Sequence, residues 1–262
     1  MQRVNLIFQY LSYKLFARHK HGQGIHSPFV YGLITKVLDR NEKFPVFQKI
    51  EKIRKQYLLS DEPVIIKGHG AGSRTSKKNI RKLKEIVRTS AVSAKYGRML
   101  YHLVTFYQPQ IIAELGTSTG ISTAYLALAA ANTKVLTVEG NSSLAQIARN
   151  TFHELNIGNT EQITGTFNDA LHYIIQCFAG KVLVFIDGDH RFESIMGYFQ
   201  RILCYHGECL VIIDDIRWSE DMLKAWKKII SDSSVQISID IFNMGIVLLN
   251  KNAQKCHFVI RF

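Results

Sequence analysis

The sequence predicts a doubly wound α/β fold: a mostly parallel, seven-stranded sheet with an antiparallel edge, preceded by an N-terminal helical extension. Three observations carry this reading. Ile111-Ile112-Ala113-Glu114-Leu115 is a short apolar segment running into Gly116-Thr117-Ser118-Thr119-Gly120, a glycine turn that opens a helix. Apolar segments of strand length then alternate with amphipathic helical ones, which argues for parallel strands with helices on both faces. The last segments, Val235 to Ile241 and Gly245 to Leu249, have no helix between them, so the sheet ends in an antiparallel pair.

Taken in order, Val4, Ile7, Phe8, Leu11 and Leu15 recur at helical spacing over Val4 to Arg18 and share one apolar face. Lys14, Arg18, His19, Lys20 and His21 cluster at and beyond its end. Such a helix packs on its own domain or a second copy, or docks on an anionic membrane. Ser27-Pro28 is a helix start, and helices follow over Phe29 to Leu38 and Pro45 to Leu58. His21 and His26 have no clear third partner for a metal, so a structural or capping role is expected. From Lys67 to Arg98 ten basic residues stand against Glu85 alone, opening with a loop at Gly68, Gly70, Gly72 and Ser73 and continuing as a helix over Lys77 to Val87. Either binding of phosphates or a nucleic-acid backbone or a mobile arm over the site fits this stretch, but Lys67 to Lys95 lacks the aromatic residues that stack bases. Tyr96 to Tyr107 is the helix that leads into the first core strand. Later strands are expected at Lys134 to Glu139, Glu161 to Thr164, Val182 to Asp187 and Cys209 to Asp214, with His257 to Ile260 a further candidate. Helices between them span the segment through Tyr125 to Ala131, Ser142 to Leu155, Asn168 to Cys177, Phe192 to Tyr205 and Ser219 to Ser231.

The 262 residues, 47% of them hydrophobic, are enough for one large domain with an extension. A net charge of +12 favours anionic partners, whether nucleic acid, a membrane surface or a phosphorylated substrate. Cys177, Cys204, Cys209 and Cys256 have no Cys-x-x-Cys spacing, so reduced thiols and a cytoplasmic location are expected. No apolar run reaches the ~20 residues of a membrane span. Gln9, Tyr10, Ser12 and Lys14 interrupt what would otherwise resemble a signal peptide.

In a doubly wound sheet the ligand lies beyond the carboxyl ends of the strands, at the point where strand order reverses. Gly116 supplies the sharp bend there, and Gly120 is expected to leave room for a ligand near the backbone. Ser and Thr between them can cap the next helix, whose free N–H groups attract an anionic group. Glu114 can reach a cationic or hydroxyl-rich part of that ligand. Glu139, about 20 residues beyond the bend, is placed to accept ribose hydroxyls. Gly165-Thr166-Phe167-Asn168-Asp169 forms a turn that could flank a purine. Asp187, Asp214 and Asp215 fall on the ends of neighbouring strands, and three carboxylates so close favour a hard cation such as Mg²⁺ over three helix caps. The G-x-G-x-x-G and Gly-Lys-Ser/Thr signatures of dinucleotide and nucleotide loops are absent.

Together, Glu114-Leu115-Gly116-Thr117-Ser118-Thr119-Gly120-Ile121-Ser122, Glu139, Ile186-Asp187-Gly188-Asp189-His190 and Ile213-Asp214-Asp215-Ile216 resemble a class I, Rossmann-like S-adenosylmethionine (AdoMet) methyltransferase. The nearest branch is the cation-dependent O-methyltransferases of the catechol and macrolide-sugar type, over about residues 90–250. His26-Ser27-Pro28-Phe29 and Ser93-Ala94-Lys95-Tyr96-Gly97 are similar to a group of bacterial methyltransferases typical of Bacteroidetes. The resemblance implies that Gly116, Thr117, Ser118 and Gly120 line the methionine part of AdoMet and that Ser122 bonds its carboxylate. It implies Glu139 on the ribose, Glu114, Gly165, Thr166 and Asp187 among the cofactor contacts, and Asp187, Asp214 and Asp215 on a divalent cation. The catechol enzymes carry Asn where Asp215 stands. His190 occupies the place of their catalytic lysine and, with Asp187, would be catalytic. The implied reaction is O-methylation of a small-molecule hydroxyl by residues 96–262, with residues 1–95 as a helical extension carrying the basic segment. A nucleic-acid methyltransferase, lacking here an Asn-Pro-Pro-Tyr signature, and a non-catalytic AdoMet-binding scaffold are the rival readings. An anionic or membrane partner at the basic N-terminal region and a homodimer are the expected associations.

Overall fold

The computed structural model describes residues 2–42, 44–66, 80–250 and 253–262, with side chains described from residue 6 onward except Lys20. The expected glycine loop at 68–73 and the basic residues Lys67, Arg74, Lys77 and Lys78 lie outside these residues.

The main sheet has eight strands: β3 (Ile111–Leu115), β4 (Lys134–Glu139), β5 (Thr160–Thr164), β6 (Val182–Ile186), β7 (Cys209–Ile213), β8 (Ile237–Asp240), β9 (Gly245–Leu249) and β10 (Cys256–Val259). Their order is β10-β8-β9-β7-β6-β3-β4-β5. Only β9 runs against the others, paired antiparallel to both β7 and β8. The sheet therefore exceeds the expected seven strands by one. The reversed strand lies inside, because β10 crosses over β8 to form the outer edge in parallel. The β8–β9 connection is the predicted antiparallel turn, whereas β9 and β10 are not neighbours.

Side chains alternate between the two faces, as the period of two demands. Ile112, Val135, Leu183, Phe185, Leu210 and Ile212 face one core, while Ala113, Leu136, Val184, Ile186, Val211 and Ile213 face the other. The second core is closed by α8 (Phe167–Gln176), α9 (Phe192–Ile202) and α10 (Glu220–Ser231). The first is closed by α2 (Pro28–Leu33), a π-turn at Ile34–Leu38, α3 (Pro45–Leu59), α5 (Ala94–Tyr107) and α6 (Ile121–Ala129). The predicted helix over Phe29 to Leu38 thus changes pitch half-way. Ser27 caps α2 through Val30 N, and Pro28 is its first residue. His21, one of the two expected structural histidines, meets Asp39 at 2.9 Å. One hydrophobic core crosses residue 95. Phe44, Phe47, Tyr101, His102 and Tyr125 interlock there, and Tyr125 Oη donates to Glu51.

A small hairpin, β1 (Pro63–Ile65) with β2 (Ile80–Lys82), precedes α4 (Leu83–Ser90). The expected helix over Lys77 to Val87 is therefore a strand before it is a helix in its described part. Lys82 and Lys84 both reach Asp61, at 2.7 and 2.8 Å, so acid from across the hairpin answers the basic run. The hairpin and α4 rest on α7 (Ser142–Glu154) through Val64, Leu83, Ile86, Val87 and Ile147.

Helix α1 (Gln2–Phe16) lies at the far edge. Its Tyr13 hydroxyl donates to the Ile260 carbonyl at 2.6 Å and accepts from Phe262 N at 2.9 Å. Arg18 N bonds Val259 O. The apolar face expected to pack is the one left open: Ile7, Phe8, Leu11 and Leu15 are exposed. Among the described residues no helix is long and apolar enough to cross a membrane.

Candidate cofactor and catalytic site

The strand order reverses between β6 and β3, and the bend after β3 is built for that position. Gly116 has φ +116°, and a Cβ there would strike the Asp187 carbonyl. The strand ends are laced beyond the regular ladder: Thr117 N donates to Val138 O, Asp187 N to Leu115 O, Asp214 N to Ile186 O and Gly165 N to Glu139 O. Five strand tips are thereby held in one row.

Two glutamates flank the bend. Glu114 is fully buried and shares a register pair with Thr137. Its Oε2 accepts from Thr123 at 2.5 Å and from Thr137 at 2.6 Å, and Thr117 bonds Thr137 in turn. Burial raises its pKa, and hydrogen bonds from Thr123, Thr137 and Ser122 oppose the rise. Glu114 and the Thr117 side chain thus tie the bend to α6 and β4. Glu114 Oε1 is buried without a hydrogen-bond partner among the described residues.

Glu139 is also buried, but its oxygens face backbone. Oε2 accepts from Ser118 N and Oε1 from Asn141 N, both at 2.8 Å. Burial raises its pKa, and these N–H groups, with that of Gly140, hold it back. Asn141 caps α7 through Leu144 N and bonds Ile65 O, bringing the hairpin to the rim of the site. Ser118 takes φ +49°, so the loop presents its amide to Glu139 at the expense of a left-handed residue.

Two expectations about this loop change. Gly120 does not open space for a ligand. A Cβ there would meet Phe152 at 2.8 Å and Ala148 at 3.2 Å, so its absence lets α6 pack on α7. No Ser or Thr side chain caps α6, because Gly120 itself is the cap residue at φ +79°. Ser122, in the first turn of α6, is buried and turns toward Glu114. At the next tip, the Thr166 hydroxyl caps α8 through Asp169 N. Its side chain is therefore engaged, while Gly165 has no neighbour within 4 Å of its missing Cβ.

Asp187, Asp214 and Asp215, at neighbouring strand ends, act on one another's charge. Burial pushes the Asp187 pKa well up, and Asp214 and Asp215 push it further. Burial raises Asp214 too, with Asp215 adding to it, and Asp214 Oδ1 accepts from Asp215 N at 2.8 Å. Burial likewise raises Asp215, opposed by His190. Among the described residues, no group of three His, Cys, Asp or Glu side chains closes into a metal-holding cluster. The donors nonetheless suit a hard cation by charge and type, being carboxylates without a Lys or Arg partner.

His190 sits over these acids, with Nε2 4.0 Å from Asp187 Oδ1. Nε2 is buried with no hydrogen-bond partner among the described residues. Burial lowers its pKa, while Asp215 and Asp189 raise it. The Trp218 ring stands 5.4 Å away. Asp189 holds the loop by binding Arg191 through both oxygens and accepting from Tyr198. Trp218, Asn141 and the Thr123–Thr137 pair did not stand out in the sequence. Only the parallel register, which sets Thr137 beside Glu114, could have marked one of them.

A methyltransferase-domain family matches residues 113–216, the span from β3 to the end of the acid cluster. The match agrees with the methyltransferase reading of the sequence over that span. The fold agrees with that of solved structures at low identity. An O-methyltransferase from Bacillus cereus in complex with SAH superposes with TM-score 0.57 at 19% identity, covering 82% of this chain and 94% of that one. The O-methyltransferase TomG from Streptomyces achromogenes, involved in tomaymycin synthesis and in complex with SAM, gives 0.55 at 19%, covering 79% and 90%. A SAH-bound methyltransferase from Podospora anserina gives 0.52 at 14%, covering 81% and 100%. None of the curated proteins matches the chain.

Proposed function

We propose that this protein transfers the methyl group of AdoMet to an oxygen of a small-molecule acceptor. The observation carrying this reading is the neighbourhood of two unlike acid sites at one end of the sheet. Glu139 is fixed by Ser118 N across the Gly116 bend, and Asp187, Asp214 and Asp215 gather one and two strands away.

Glu139 is suited to accept ribose hydroxyls, with the backbone of Gly116, Thr117 and Ser118 along the methionine part. The unpaired Glu114 Oε1 and the uncapped start of α6, at Ser122, would take the amino and carboxylate groups. The backbone of Gly165 and Thr166 would border the adenine. When bound, AdoMet supplies the sulfonium methyl. As the acceptor oxygen bonds that carbon, the carbon–sulfur bond breaks and its electron pair returns to sulfur. Burial lowers the His190 pKa, which favours the neutral ring, and Nε2, without a hydrogen-bond partner among the described residues, would take the acceptor's hydroxyl proton. Asp187 and Asp215 then lie beside the imidazolium that results. Asp187, Asp214 and Asp215 would hold a divalent cation, which when bound lowers the pKa of an acceptor hydroxyl.

Residues 96–262 are proposed as the catalytic domain, with residues 1–95 shaping the acceptor side. Tyr96, at the junction, donates to Ile241 O beside this region. Four free cysteines fit a cytoplasmic setting. Calorimetry with AdoMet, followed by a labelled-methyl screen over phenols, sugars and lipid extracts, tests the proposal. AdoMet binding with label on oxygen is expected. No AdoMet binding, or label on nitrogen or carbon alone, would overturn it.

A further inference from the structure

Helix α1 shows two faces of opposite character. Tyr13 is buried, and Tyr10 and Tyr13 stand 5.0 and 5.1 Å from the Phe242 ring. On the other side, Ile7, Phe8, Leu11 and Leu15 are 60%, 67%, 51% and 79% exposed. At helical pitch these four fall within an arc of about 100°. Four large apolar side chains aligned on one exposed helix form a contiguous stripe, unlike scattered surface leucines.

The charge around the stripe selects its occupant. The first acidic residue of the chain is Asp39, while Arg3, Lys14, Arg18, Lys20 and Lys36 precede it. Lys14 is exposed, with its amine 4.9 Å from the Tyr10 ring. Lys95 is exposed on the neighbouring side, with its amine 3.8 Å from the Phe262 ring. A second copy seated on this stripe would bring two acid-free basic helices together. An anionic lipid surface accepts both features at once, since acyl chains cover the apolar stripe and headgroups meet the basic rim.

We propose that α1 is an interfacial helix that docks the protein on anionic membranes. The geometry gives the docking a direction. Phe242 follows β8, and β8 runs parallel to β7, so α1 lies at the sheet end that carries Asp214. Bound through α1, the protein would turn that end toward the bilayer. This orientation takes its meaning from the methyl-transfer reading, but the docking does not depend on it.

The test is co-sedimentation of the full chain with phosphatidylcholine vesicles, with and without about 30% phosphatidylglycerol. Binding to the anionic vesicles is expected, weakening as salt rises, with little binding to neutral ones. Leu11→Glu/Leu15→Glu should lower partitioning about tenfold or more, and Lys14→Glu/Arg18→Glu several-fold. Circular dichroism and AdoMet calorimetry on the same variants report the fold and the site separately. In Phe8→Trp, whose fold the exposed position spares, quenching by brominated lipid reads insertion directly. The proposal is overturned if the full chain ignores anionic vesicles, if it binds neutral ones equally, or if brominated lipid leaves Phe8→Trp unquenched. A dimer by light scattering that Leu11→Glu/Leu15→Glu splits, without vesicle binding, would assign the stripe to a second copy instead.

Discussion

Two groups of buried acid sit at the same end of the sheet and are treated in opposite ways. At the tip of β8, Asp240 is only 3% exposed, yet Arg217 meets both its oxygens and Phe242 N donates to Oδ1. At the tips of β6 and β7, Asp187 and Asp214 have no Lys or Arg partner among the described residues, only each other, Asp215 and the His190 ring. A buried ion pair is close to neutral in stability, whereas unpaired buried acids weigh against the fold. The lesson is that Asp240 is read as structure, and the Asp187 group as a place where the fold leaves charge for something else to meet.

Four experiments can break or sharpen that contrast. Asp187→Asn and Asp214→Asn should lower turnover by roughly three orders of magnitude while raising thermal stability by about 1 kcal/mol. Lower stability in both variants would show that the acids serve the fold. Arg217→Met should do the reverse, costing about 3–5 kcal/mol by stranding the Asp240 carboxylate, with AdoMet affinity retained in the folded fraction. Equilibrium urea unfolding measures both effects. Glu139→Ala should weaken AdoMet binding by about 10–100-fold in calorimetry, the loss of charged hydrogen bonds worth ~1.5–3 kcal/mol. Chelation by EDTA should abolish turnover, with Mg²⁺ restoring it and AdoMet affinity unchanged. Full turnover in EDTA would remove the cation from the scheme.

The smallest effect concerns His102, far from the acids. Both ring nitrogens are buried in the Phe44–Phe47–Tyr101 cluster without hydrogen-bond partners among the described residues, and burial lowers the ring's pKa below 6.5. The unfolded chain therefore binds this proton first as pH falls. The folded state keeps its full stability above about pH 6.5 and loses it progressively below, until the folded pKa is passed. His102→Phe should flatten the fall in melting temperature between about pH 7.5 and pH 5.5 by one to a few degrees.

Most strands were legible because they have a run of apolar residues ended by a polar tip, whereas β5, with Ile163 as its one apolar residue, was placed by its position between two helices. Ile111–Leu115, Lys134–Glu139 and Gly245–Leu249 match their expected bounds, and the others shift by one or two residues. The hairpin at Pro63–Ile65 escaped because three residues with a single buried side chain, Val64, carry no readable period. Its partner strand hides in a basic run that spells helix. The site acids were legible from their place at strand tips, but partners were not. Whether a carboxylate meets Arg217 or another aspartate depends on which loop folds back onto which strand. The roles of the glycines divided in the same way. Gly116 follows from a bend that local sequence announces, whereas Gly120 answers to Phe152 and Ala148, thirty residues away in another helix.

The clasp between Tyr13 and Ile260 sets an order of events during synthesis. The ribosome makes α1 long before its anchor, a backbone carbonyl 247 residues further along. Until then the nascent helix lacks this clasp, and its greasy stripe is open to whatever surface is nearest. A polypeptide stopped before Val259 would lack this clasp, and only the packing of Tyr10 and Tyr13 on Phe242 would hold the helix.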